Sequence, residues 1–484
     1  MARLVLVNYN SSSARSNKPP LGLGYLASYL KKRLDFHDIT IVDGCRNITS
    51  RILKQNPDVV GFTVYSANHS HMIELIRLIK RKTDVVVLAG GPHITALPMG
   101  LSQDIDIGFI GEGEESLFEF MRLFLNSGQV STQQLSKIDG LVFWDQGRLH
   151  ITPPRSFIKH LDTIPFPDRD LLNMQSYMKP SQILMNNQYL RGTTMVTSRG
   201  CPFHCIYCHV SAKWGRPRFH SPDYIVEEMK ILYQRYMAEA IYICDDLFSH
   251  TISRVEEIVR KMEREGLLGN LRFMVDLRAS MVNSELVALL KRMGVVKVAI
   301  GIESGSDRIL QFLKGSDVTV DQSLKAVEML NRYGIGTHCC FMIGSPTETI
   351  EDIEKTRVLI EKILKMDRRN FCQLTVTTPL PGTRLWEYAI KRGLISKEVD
   401  WRGFSLSPLD LKRSDFYVNE NIDFDLFKEL VASTYSLCNS RRLVSILSNF
   451  SLRYLLRIVS DPVLSIRILR DFLKHQMARF WQGK

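Results

Sequence analysis

The chain has 484 residues, 45% of them hydrophobic and 24% charged, with a net charge of +12. This is the composition of a soluble globular protein, long enough for two or three domains, and no run of eighteen apolar residues offers a bilayer-spanning helix. The opening Met-Ala-Arg-Leu-Val-Leu-Val lacks the apolar core of a signal peptide, and Cys45, Cys244, Cys339, Cys340, Cys372 and Cys438 show no disulfide framework, so a cytoplasmic location is expected.

Residues 1–130 alternate β-branched apolar runs (Leu4–Val7, Ile39–Val42, Val59–Val64, Val85–Ala89, Ile105–Ile110) with segments of helical period such as Leu23–Leu34 and Met72–Lys80. Alternation of this kind predicts a parallel sheet covered on both faces, a doubly wound Rossmann-like domain with its ligand beyond the carboxyl ends of the strands. Gly22-x-Gly24-x-x-Ala27, with Asp43 further on, invites a dinucleotide reading. The fingerprint should turn straight out of the first strand, yet residues 11–21 intervene. Residues 131–185 form a connector, with a hairpin over Gly140–Trp144 and Arg148–Thr152 and then an extended run holding Pro153, Pro154, Pro165 and Pro167.

A second alternation fills residues 186–400, with strands predicted at Thr194–Thr197, Ala240–Cys244, Arg272–Asp276, Val296–Gly301, Thr337–Ile343 and Gln373–Thr377. Six βα units are too few for a closed eight-fold barrel, so an open one is expected. Residues 401–484 show no such alternation and read as helical around Arg441–Ile458 and Val463–Trp481. That stretch is basic: residues 441–484 hold nine Arg and Lys against two Asp. A basic amphipathic helix suits an anionic lipid surface; the plainer alternative is a solvated helix packed on the barrel. No aromatic-basic stacking platform for nucleic acid stands out.

Directly after the first barrel strand comes Arg199-Gly200-Cys201-Pro202-Phe203-His204-Cys205-Ile206-Tyr207-Cys208. Three of the chain's nine cysteines fall within these eight positions from Cys201 to Cys208. Thiolates are the usual ligands of iron–sulfur clusters, which ordinarily take four; three would leave one iron open to a small molecule. A zinc site completed by His204 and His209 is the other metal reading, and three neighbouring thiols the bland one. Residues at the carboxyl ends of the later strands are candidates to hold that small molecule: Asp245 and Asp246, Arg278, Glu303, Ser345, and the turn Pro381-Gly382-Thr383. Taken singly, such residues often just cap helices or make turns.

The cysteine spacing, with an aromatic before the last cysteine, resembles the signature of the radical S-adenosylmethionine (SAM) enzymes. The ordered set Asp245-Asp246-x-Phe248, Gly301-Ile302-Glu303-Ser304-Gly305, Gly344-x-Pro346 and Pro381-Gly382-Thr383 resembles those members that carry an N-terminal cobalamin-binding domain. So does the series Pro19-Pro20-Leu21-Gly22, Gly61 to Ser66, Gly90-Gly91-Pro92-His93 and Gly111-Glu112-Gly113-Glu114. The resemblance implies a 4Fe-4S cluster on Cys201, Cys205 and Cys208, and SAM contacts from Tyr207, Asp245, Asp246, Arg278, Glu303 and Ser345. It implies a cobalamin site built from Pro20, Leu21, Gly22, Ser66, Gly90, Gly91, Pro92, Gly111 and Glu112. Leu21 stands where some cobalamin proteins place a histidine ligand, so no histidine on cobalt is expected, and Asp35-x-His37 is a chance likeness to that motif. The implied reaction is cleavage of SAM with cobalamin-assisted methylation of an unactivated carbon or phosphorus on a small-molecule or lipidic substrate, fed by a reductant such as flavodoxin or ferredoxin. The alternative is a non-methylating radical reaction of the kind run by the anaerobic magnesium-protoporphyrin ester cyclase.

Overall fold

Most predicted strands recur within one or two residues of their expected ends in the computed structural model, which describes residues 2–9, 18–44, 46–178, 183–185, 188–210, 214–396, 398–404, 411 and 415–440. β1 (Leu4–Asn8), β2 (Ile39–Asp43), β3 (Val59–Thr63), β4 (Val86–Gly90) and β5 (Ile107–Phe109) pair in parallel. The hairpin β6 (Leu141–Asp145) and β7 (Arg148–Ile151) joins them antiparallel, with Gly108 opposite Val142, so the sheet runs 2-1-3-4-5-6-7. A segment read as part of a connector thus completes the first sheet. Its apolar run Leu141–Phe143 is buried on both faces, a fate that local sequence does not distinguish from a free hairpin. Strand order reverses between β1 and β3, which opens a crevice at their carboxyl ends.

A short hairpin, β8 (Ile183–Met185) and β9 (Gln188–Leu190), leads into the second sheet. That sheet comprises β10 (Gly192–Met195), β13 (Ala240–Ile243), β14 (Arg272–Leu277), β15 (Val295–Glu303), β16 (Gly336–Ile343) and β17 (Phe371–Val376), all parallel and in chain order. β10 and β17 stand at its two edges, so the barrel is open. Between β10 and β13, the two-residue strands β11 (Ser198–Arg199) and β12 (Arg218–Phe219) pair antiparallel and close the base of the cysteine loop. Helices cover the outer face, and Ser221, Thr251, Asn283, Thr319, Thr349 and Thr383 each cap one by accepting a backbone N–H.

The helix Leu21–Leu34 serves both sheets. Leu23, Ala27 and Leu30 pack on the first, while Leu21, Tyr25 and Tyr29 join the core of the second. Gly24 explains itself here. A Cβ on it would stand 3.1 Å from Pro167 Cβ, and its carbonyl accepts the Asp168 N–H at 3.0 Å. This glycine admits the proline-rich connector, not a nucleotide. The last helix among the described residues, Phe424–Asn439, packs on β17 and on the helix Ile350–Met366. The two helical segments expected in the basic stretch 441–484, and the lipid contact suggested for it, lie outside the described residues. Among those that are described, no helix is long and apolar enough to cross a membrane.

Candidate functional site

Both sheets present their carboxyl edges to one cavity of about 550 Å³. One wall comes from the first domain: Gly22, Gly61, Gly90, Gly91 and Gly111, with Leu21, Phe62, Tyr65 and Pro92 beside them. The facing wall is Val196, Ser198, Arg199, Gly200, Cys244 and Asp246 of the barrel. Of the residues assigned to cobalamin, all but Pro20 and Ser66 line this space. Pro20 caps the helix Leu21–Leu34, and Ser66 Oγ lies 3.0 Å from His93 Nδ1, whose ring sits 4.3 Å from that of His69 at a tilt of 35°. Asp35 and His37 face solvent and pair with each other at 2.9 Å.

Glu112 reaches the wall but its carboxylate is spoken for. Arg199 bonds it at 2.8 Å and Arg218, the cross-strand partner of Arg199, at 2.9 Å, while Glu114 takes the other arm of Arg199 at 2.6 Å. Burial opposes the charge on Glu112, and the two guanidinium groups more than offset it, leaving its carboxyl below the ordinary range. First domain and cysteine loop are therefore clamped together two residues before Cys201. Nothing in the sequence marked these four residues as a unit, because they join only when two separate domains meet.

The loop is held at several points. Gly200 N donates to Asp246 Oδ2 at 3.0 Å, Ile206 N to Leu313 O at 2.9 Å and Leu385 N to Ile206 O at 2.9 Å. Arg384 also bonds the His204 carbonyl. The turn Pro381-Gly382-Thr383 thus acts through its helix: Thr383 caps Arg384–Lys391, whose first turn grips the loop. Arg278 lies against the cysteines, its Nη1 3.3 Å from Cys205 Sγ and its guanidinium 4.1 Å over the Phe203 ring, with Asp317 at 2.6 Å behind it. Cys201, Cys205 and Cys208 are all partly exposed thiols. Among the described residues no three His, Cys, Asp or Glu side chains converge on a single-ion site. Zinc asks for such convergence at about 2.0–2.3 Å, whereas a cube takes its thiolates at separate corners.

Glu303 ends β15 with φ at +67°, a left-handed backbone that a non-glycine residue holds only under constraint. Its carboxylate accepts from the Tyr207 hydroxyl at 2.8 Å and from Lys314 Nζ at 3.3 Å. A Cβ on Gly301, two residues earlier, would lie 2.2 Å from Glu303 Oε1, so a side chain there would displace the carboxylate. Tyr207 of the cysteine loop and Glu303 of the fourth barrel strand are therefore one unit. Asp245 and Ser345 are placed otherwise than expected for ligand contacts. Asp245 is buried and accepts from the backbone and hydroxyl groups of Thr197 and Ser198, and burial lifts its carboxyl to about 6. Ser345 is buried, 3.2 Å from the Thr377 hydroxyl, and its carbonyl accepts from Asn419. Both tie strand ends together; of the acidic pair, Asp246 alone reaches the cavity.

A loop with three partly exposed thiols, a cationic guanidinium on one of them, and a neighbouring cavity whose first-domain wall is glycine turns set among apolar side chains together fit a three-cysteine cluster near a large planar cofactor. The comparisons agree. Residues 195–360 match the radical SAM superfamily and residues 10–120 the B12 binding domain. An uncharacterized methyltransferase of Pyrococcus horikoshii is 35% identical over 401 residues, covering 80% of this chain and 82% of that protein. Cytidylyl-2-hydroxyethylphosphonate methyltransferase of Streptomyces wedmorensis is 25% identical, covering 91% of this chain and 90% of its own length. The fold matches the cobalamin-dependent SAM radical enzyme OxsB, solved with aqua-cobalamin and SAM, at a TM-score of 0.68 and 16% identity, over 99% of this chain and 72% of that one. The chain belongs to the cobalamin-dependent radical SAM methyltransferase family and is an enzyme whose cofactors are a 4Fe-4S cluster, SAM and cobalamin.

Proposed function

We propose that this enzyme methylates a carbon or phosphorus centre that is not itself a nucleophile, on a small molecule held in the mouth of the barrel. The observation that carries the reading is the single cavity bounded by the first-domain glycine turns on one side and by Arg199, Gly200 and Asp246 on the other. Two separate cavities would suit two independent reactions; a shared one suits a substrate that both cofactors must reach. When bound, the cluster with SAM supplies hydrogen-atom abstraction, and cobalamin supplies the methyl group.

The chain's own residues do the positioning. Cys201, Cys205 and Cys208 hold the cluster, and Arg278 places a positive charge against the Cys205 sulfur. Asp246 fixes the loop by accepting the Gly200 N–H with Oδ2 and also lines the cavity, where its carboxylate offers a SAM ribose or ammonium group an acceptor. Tyr207 and Lys314 orient the Glu303 carboxylate for the same ligand. Gly22, Gly90, Gly91 and Gly111 keep side chains out of the space assigned to cobalamin. An external one-electron donor of the flavodoxin or ferredoxin type supplies the electron.

Product counting tests the reading. With cluster, cobalamin, SAM and reductant, turnover should form S-adenosylhomocysteine alongside 5′-deoxyadenosine in equal amounts. Formation of 5′-deoxyadenosine with a modified substrate and no S-adenosylhomocysteine would replace methylation by a cyclisation or oxidation.

A further inference from the structure

The inner face of the barrel sheet carries charged and polar groups that are only partly buried. On the helix-covered face, Val275, Val298, Ile300 and Phe341 have no exposed area. On the opposite face of the same strands, Tyr242, Met274, Asp276, Lys297 and Cys340 keep part of their surface. In closed barrels that interior is filled by side chains; here it is lined by groups that protein surrounds and solvent still reaches.

Two of those groups are charged residues short of the partners that burial demands. Asp276 accepts from one hydroxyl, that of Tyr242, at 3.0 Å to Oδ1 and 2.8 Å to Oδ2. A carboxylate offers about four acceptor sites, so capacity is left over. Lys297 has no hydrogen bond or ion pair among the described residues. Burial pushes the Asp276 carboxyl up to about 7, against the pull of the Tyr242 hydroxyl and the Lys18 charge, and the Lys297 ammonium down to about 8. β14 and β15 pair Asp276 with Ala299 and Met274 with Lys297. The two residues therefore share the inner face on adjacent strands, about 8 Å apart between Cα atoms. Lys18 lies with Nζ 4.5 Å over the Tyr242 ring, and Cys244, two residues beyond Tyr242, already belongs to the cavity wall.

We propose that Asp276 with Tyr242, and Lys297, are the two poles that recognise the substrate: a polar small molecule with an ammonium or hydroxyl donor at one end and a carboxylate, phosphonate or phosphate at the other. The inference rests on the barrel being the reaction chamber and deepens that reading by naming the substrate class. An unsubstituted lipid chain satisfies neither pole and leaves both desolvated.

Equilibrium binding to the full chain loaded with cluster and cobalamin tests this with three probes: 3-aminopropylphosphonate, propylphosphonate and propylamine. The two-ended probe should bind at least tenfold more tightly than either one-ended probe. Lys297→Met should remove its advantage over propylamine, and Asp276→Asn together with Tyr242→Phe its advantage over propylphosphonate. Lys297→Arg, which keeps the charge, should restore most of the preference, a rescue that a merely structural lysine would not show. Cluster absorbance and retained cobalamin identify folded variants. Equal binding of all three probes, no binding of any, or unaltered affinities in Lys297→Met and Asp276→Asn would overturn the proposal. Failure of the wild-type chain to take up cluster or cobalamin would count against the methyl-transfer reading instead, so the two failures are distinct.

Discussion

At the edge of the first sheet the cavity wall sets glycines among apolar side chains: Gly22, Gly61, Gly90, Gly91 and Gly111 contribute no side chain, and Leu21, Phe62 and Phe109 contribute apolar surface. At the edge of the second, the same cavity meets Arg199 and Asp246, and each is bonded to a named partner. One site is made by leaving matter out, the other by fixing charges in place. The difference has a physical origin. A large neutral ring system is recognised by shape and close backbone approach, whereas a cluster loop and a charged sulfonium need ligands and oriented ionic groups. Substitutions should therefore act differently on the two sides: filling space disables the first, and removing one polar atom disables the second.

The largest expected effect is on the polar side. Cys205→Ala removes one of three cluster ligands, and iron content, cluster absorbance and 5′-deoxyadenosine formation should all fall to background. Next comes the clamp between the sides. Arg199→Met leaves Glu114 without a partner in a site where its side chain is 6% exposed, and breaking a buried pair in this way costs about 3–5 kcal/mol. Chemical denaturation should show that loss, and the reduced-cluster EPR signal should broaden as the loop is released. An unchanged midpoint would mean that the domains do not depend on this contact.

On the glycine side, Gly22→Phe isolates the space-filling effect. A Cβ at Gly22 meets nothing within 4 Å, and replacing glycine inside a helix removes a penalty of roughly 0.5–1 kcal/mol. The variant should be as stable as the parent, bind its cluster and retain far less cobalamin. Undiminished cobalamin would break the comparison. The smallest effect concerns pH. Because burial raises the Asp276 carboxyl to about 7 in the folded chain, the folded state holds its proton more tightly than the unfolded state does. Ionising it costs stability progressively as pH rises from near 4 to 7, and in full above that. Asp276→Asn should accordingly gain melting temperature at pH 8 and little at pH 5; equal gains would point to a carboxyl of ordinary acidity.

Which parts of this were legible in sequence follows the same division. The two alternations of strand and helix, the loop after the first barrel strand, and most of the glycine turns lie in contiguous runs, where period and turn chemistry speak locally. What escaped was decided by distant pairing. The hairpin Leu141–Ile151 looks the same whether it stands free or extends a sheet. Glu112 looks like a cofactor contact until Arg199 and Arg218 take its oxygens. Asp245 and Asp246 are neighbours in sequence but point to opposite tasks: one is spent on Thr197 and Ser198, the other faces the cavity. Gly22 and Gly24 divide in the same way, one lining the cavity and one packing against Pro167.

The proposed methyl transfer requires two redox centres within reach of one cavity. Pulsed EPR on the intact chain, holding Co(II) cobalamin and the reduced cluster together, addresses that directly. The prediction is a dipolar interaction between the two spins that shortens the relaxation of each and disappears in Cys205→Ala. Two spectra that add as if each centre were alone would place the cofactors apart and contradict it.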